Sequence, residues 1–146
     1  MQTMINATIA LLGFGLYLVA AYGDIRSLRI PNWLVALVAL LGVFRLVLLA
    51  DPIVATYTVG AALLVLLVGF VLFARGYVGG GDVKLLTATV LLIGYHDLFA
   101  FLVLTSICGA VLALLFLLRG RRLVPYGVAI AAAGTMTLFL QSSHIG

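Results

Sequence analysis

The chain has 146 residues, of which 66% are hydrophobic and 8% charged, with a mean hydropathy of +1.36 and a formal net charge of +4. A water-soluble domain of this length cannot hide that much apolar surface, so soluble classes are excluded and a membrane protein is expected. The basic excess lies in short clusters between apolar runs, as cytoplasmic anchors do, and does not point to nucleic acid.

A spanning helix needs about 20 mostly apolar residues. The first apolar run covers 5–23 and follows "MQTMINATIA", which has no basic region ahead of it, so no cleavable signal peptide is expected. Gly23 and Asp24 close this run, and Arg26 and Arg29 follow. The second helix is predicted over 32–50. Pro31 suits its first turn, where a missing N–H costs nothing. Asn32 has two open roles, capping that turn or bonding a substrate or Asp24. Arg45, near the far end of this helix, is expected to snorkel outward.

The third helix is predicted over 53–74, and "GYVGGGDVKLL" follows at Gly76 to Leu86. The fourth, 82–95, is short. "GYHD" at 94–97 reads as a turn, because one helix over 82–118 would be too long for a single span. A fifth helix is predicted over 97–118 and a sixth over 124–141. The fold class is therefore all-α: a polytopic membrane bundle of six transmembrane helices, forming one domain over 1–146.

Seven of the eight basic residues fall in alternate connections. Arg26 and Arg29 lie between helices one and two, Arg75 and Lys84 flank the turn between three and four, and Arg119, Arg121 and Arg122 lie between five and six. The positive-inside rule places these connections in the cytoplasm and both termini outside. Trp33 and Tyr126 start helices at the same interface, where aromatic residues collect. The single Cys108 sits in an apolar run and is expected to pack as a small apolar side chain; it allows neither an internal disulfide nor a cysteine-based zinc site. No metal or cofactor is expected.

This topology sorts the four acidic residues, all aspartates. Asp51 and Asp97 fall in outer loops and read as solvated loop residues, as does His96. Asp24 and Asp82 fall at the cytoplasmic ends of helices one and four, so acid–base chemistry on that face must use this pair. Asp82 has two readings. Aspartate is a good N-cap, which needs no chemistry. The alternative is a catalytic carboxylate, and Gly79, Gly80 and Gly81 before it allow close approach of another backbone. Asp24 sits where the helix macrodipole is negative, an unfavourable place for a carboxylate, so it is a functional candidate. A helix N-terminus favours the charged acid and a C-terminus the neutral one. On that contrast Asp82 is expected to hold the charge and Asp24 the proton, one proton shared by a coupled pair.

The stretches "GDIRSLRIPN" (Gly23 to Asn32) and "GGGDVK" (Gly79 to Lys84) resemble the two aspartate motifs of the type IV prepilin peptidases, and "VPYGVAIAAAG" (Val124 to Gly134) resembles the opening of that family's last helix. The three lie in the family's order. The resemblance implies an intramembrane aspartyl endopeptidase of the inner membrane. It would cut pilin-like precursors between a short basic leader and an apolar helix, with Asp24 and Asp82 as the catalytic pair. Gly79 and Gly81 would shape the turn before Asp82. Larger family members carry paired cysteines associated with methylating the new N-terminus. This sequence has only Cys108, so cleavage without methylation is expected, and the compact form resembles tight-adherence or archaeal preflagellin enzymes.

Lys84 either anchors to anionic headgroups or sets the potential around the aspartates. A basic leader gains nothing from a basic cytoplasmic face, so anionic lipid is expected to draw both together. Cleavage in vesicles should fall when that lipid is removed, and unchanged cleavage would contradict the idea. Two other classes fit fewer features. A small transporter or channel would place its acids nearer the midplane and show corresponding broken helices in two halves, and neither is seen. A structural subunit of a secretion complex needs neither aspartate.

Overall fold

The computed structural model describes residues 2–120 and 124–143, with side chains from residue 4 onward. Arg121, Arg122 and His144 lie outside the described residues. Among the described residues the chain forms helices and no strands: α1 (Gln2–Ser27), α2 (Asn32–Leu49), α3 (Pro52–Ala74), α4 (Gly80–Ile93), α5 (Leu98–Leu118) and α6 (Tyr126–Ser143). The turn at 94–97 does separate α4 from α5.

α1, α2, α3 and α5 are long and apolar enough to cross a membrane. Their outward side chains fit that solvent: Leu63, Leu64, Leu67 and Phe70 on α3, and Leu114, Leu117 and Leu118 on α5, are exposed. α4 has only 14 residues. At about 1.5 Å per residue it falls short of a hydrocarbon core of about 30 Å. α6 has 18 residues but mixes alanine and glycine with threonine, and it buries Gly127, Ala129, Ile130, Ala131, Ala133 and Gly134.

The chain divides into two compact units, Met1–Arg29 with Phe99–Gly146, and Ile30–Leu98. In the first, α6 packs along α1. The approach is close at Gly134, where a Cβ would stand 2.7 Å from Tyr17 Cζ. Tyr17 is among the most buried large side chains, so glycine at 134 is what lets the two helices lie this near. α5 meets the start of α6 at Gly109, where a Cβ would lie 3.2 Å from the Tyr126 ring.

In the second unit α4 packs against both α2 and α3 and buries Val83, Leu85, Ala88, Thr89, Val90, Leu92 and Ile93. Glycines again set the spacing. A Cβ on Gly42 of α2 would come within 2.8 Å of the Leu91–Leu92 backbone, and one on Gly69 of α3 within 2.6 Å of Val83.

The helix ends correct two expectations. Asp51 is more than a solvated loop residue: it is the N-cap of α3, with Oδ1 accepting from the N–H groups of Ile53 (2.9 Å) and Val54 (3.2 Å). Arg45 does not snorkel outward. It is part-buried, donates from Nη1 to the carbonyl of Leu92 in the last turn of α4, and lies in the field of Asp97. A cation there complements the free carbonyls of a helix C-terminus. His96 is exposed, as expected, and its ring stacks on Tyr95.

Candidate active site

Each unit carries one of the two motif aspartates. In the second unit, the N-cap of α4 is Gly79, which has no side chain to cap with. Asp82 is the third helical residue, in the first turn, so the expectation that it caps the helix is corrected. Its carboxylate turns back along the helix start: a Cβ on Gly79 would sit 2.9 Å from Asp82 Oδ2. Any side chain at 79 would crowd that oxygen, which gives Gly79 a specific reason to be glycine. Gly80 faces the Phe73 ring at the end of α3, where a Cβ would lie 3.2 Å from it.

The two motif segments of this unit meet. Ile30 packs beside Gly81, where a Cβ would stand 3.5 Å from Ile30 Cβ. Lys84 Nζ donates to Asn32 Oδ1 at 3.3 Å. This bond ties the start of α2 to the first turns of α4. Asn32 therefore engages Lys84 and is the first helical residue of α2, while Pro31 is its N-cap, one residue ahead of the first helical position. The residues "IPN" and "GGGDVK" thus form one cluster around Asp82. Lys84 and Asn32 are both exposed, so the pair fixes position more than it adds stability.

In the first unit, α1 runs on to Ser27, and Asp24 lies in its last turns with its carbonyl accepting from Leu28 N–H at 2.9 Å. Leu28 takes a left-handed φ of 50°, the conformation that ends many helices and that glycine normally supplies. Asp24 is buried, with 4% of its surface exposed. The backbone N–H groups of Gly127 and Val128, the second and third residues of α6, face its carboxylate. Gly127 N–H is among the four groups that a helix start leaves without intrahelical partners, and Val128 N–H also donates to the Pro125 carbonyl at 3.2 Å. Asp24 Oδ2 has no hydrogen-bond partner among the described residues. A buried carboxylate oxygen left without a partner costs stability.

This geometry corrects the contrast drawn from helix ends. Asp24 belongs to a helix C-terminus by its backbone but to a helix N-terminus by its carboxylate. Both aspartates therefore meet the amino ends of helices, and the ends alone do not tell them apart. The amides of Gly127 and Val128 are the neighbours of Asp24 that sequence reasoning missed. The stretch "VPYG" signalled a helix start, but nothing in its residues says which side chain that start would meet. Among the described residues no group of three or more His, Cys, Asp or Glu side chains could hold a metal ion.

The model of the type IV leader peptidase family matches residues 11–114, well over half of the chain. The match spans both aspartates and every motif residue of the second unit, and it stops before α6. No curated protein and no solved structure matches. The chain belongs to the type IV leader peptidase family. It is accordingly a membrane protein and a protease of that family, acting on a precursor protein.

Proposed function

We propose that the chain is an intramembrane aspartyl endopeptidase that removes the short basic leader of type IV prepilin-like precursors at the cytoplasmic membrane face. The observation that most supports this is Asp24: a buried carboxylate in a greasy protein, faced by backbone amides and with one oxygen that has no hydrogen-bond partner among the described residues. Structural roles for such a group are few, and catalysis is the default for a carboxylate at the margin of a membrane bundle.

In this mechanism one of Asp24 and Asp82 is ionised and takes a proton from water as the water oxygen attacks the peptide carbonyl carbon. The other is protonated and donates to the carbonyl oxygen. Collapse of the tetrahedral intermediate breaks the C–N bond, and the amine leaves with a proton from the carboxyl pair. The products are a leader with a new carboxyl end and a mature protein with a new amine. No cofactor is required. Gly79, Gly80 and Gly81 keep the approach to Asp82 open, and Lys84, Asn32 and Pro31 fix the loop beside it. Co-expression with a pilin-like precursor tests the function: the wild-type chain should convert the precursor to a faster-migrating band on a gel, and a precursor that stays full-length despite normal membrane levels of the chain would contradict it.

The proposed topology has six crossings, with Arg26, Arg29, Arg75, Lys84 and Arg119 inside and both termini outside. α4 crosses only if the turns at its ends complete the span. Because Cys108 is the sole cysteine, replacing it gives a clean background for labelling. A cysteine at Ser27 should resist a membrane-impermeant thiol reagent in intact cells, and one at Ala50 should react. The reverse pattern would overturn the topology.

A further inference from the structure

We propose that the start of α6, Tyr126 to Val128, is the positioning element for Asp24, and that it leaves Oδ2 as the oxygen that meets the water or the scissile carbonyl. The inference rests on the reading of Asp24 as catalytic and goes beyond it, because it concerns what positions that carboxylate.

Two amides at the start of α6 face the carboxylate, and Oδ2 has no hydrogen-bond partner among the described residues. A carboxylate on a flexible single bond otherwise rotates, and burial against a rigid helix end limits that rotation. The helix end is itself fixed. Pro125, just before it, is fully buried, and its carbonyl accepts from Val128 N–H at 3.2 Å. Eight residues along from Tyr126, Gly134 sits against Tyr17 of α1, about two turns before Asp24 on the same helix face. The Tyr17–Gly134 approach sets how far α6 stands from α1, and so where the amides lie relative to Asp24. Displacements near 1 Å cost catalytic groups up to about 100-fold in rate.

Two variants disturb this arrangement by different routes. Val128→Pro deletes an N–H that faces Asp24 and also donates to the Pro125 carbonyl, while keeping the helix, since proline is tolerated in a first turn. Gly134→Ala pushes α6 away from α1 through the Tyr17 contact, and adding Tyr17→Leu removes the ring end that causes the push. Each is assayed with a precursor that the wild-type chain cleaves, beside Asp24→Asn. The expected result is a fall in kcat of about 10- to 100-fold for Val128→Pro and for Gly134→Ala, with KM within about twofold. The Gly134→Ala/Tyr17→Leu pair should recover most of the lost kcat. Full kcat in Val128→Pro, a loss confined to KM, or no recovery in the double variant would overturn the inference. If Val128→Pro fails to fold, the Gly134 and Tyr17 variants decide alone. Cleavage retained by Asp24→Asn would instead sink the catalytic reading of Asp24, which separates the two failures.

Discussion

Asp24→Asn and Asp82→Asn should each abolish precursor cleavage, by at least about 1,000-fold, while leaving the chain in the membrane at normal levels. Asparagine keeps the size and the acceptor oxygen of each carboxylate, so Asp24→Asn still presents an acceptor to the amides of Gly127 and Val128. What it loses is the ability to take or give a proton. The double variant should be no worse than either single one, because groups that act as a unit are not additive. Cleavage surviving in Asp82→Asn would reduce that residue to a helix-start carboxylate, a role its place in the first turn of α4 also allows. Cleavage surviving in Asp24→Asn would leave a buried carboxylate without a function.

The largest effect on stability should come from Gly42. Gly42→Ala places a Cβ 2.8 Å from the backbone of Leu91 and Leu92, and backbone cannot rotate aside as a side chain can. α2 and α4 must separate, at a cost of about 1–3 kcal/mol, read as a lower thermal midpoint in detergent. Because α4 also carries Asp82, cleavage should fall with it. Gly60 of α3 provides the contrast, since a Cβ there meets nothing within 4 Å. Gly60→Ala should be neutral or stabilising by about 0.5–1 kcal/mol, since alanine is the better helix former. Equal effects at the two glycines would show that the α2–α4 approach is not as close as described.

The helices were legible because apolar runs of spanning length are hard to mistake, and α2, α3 and α5 lie within a few residues of their predicted bounds. Their packing was not. A helix that is apolar all round has no readable inner face, so nothing in the sequence marked Gly42, Gly69 or Gly134 as contact points. Roles at helix ends were misjudged for a related reason. Asp51 and Asp82 both precede or open apolar runs, yet only Asp51 is an N-cap residue, because α4 starts two residues ahead of Asp82, at Gly80 with Gly79 as its N-cap. Arg45 was assigned to lipid because its partner, the Leu92 carbonyl, lies on another helix. The site was half legible. The motifs name Asp24, Asp82, Asn32 and Lys84, and the Lys84–Asn32 bond shows two of them in contact. The amides that face Asp24 carry no side-chain signature at all.

The central claim is that this chain alone hydrolyses a leader using two aspartates. Its most direct test is intact-mass analysis of a purified pilin-like precursor incubated with the purified chain in anionic vesicles. The account predicts two products whose masses add to that of the precursor plus one water, with the cut between the basic leader and the apolar helix, and none of either product with the Asp24→Asn/Asp82→Asn chain. An unaltered precursor mass with the wild-type chain, or the same two products with the double variant, would contradict it.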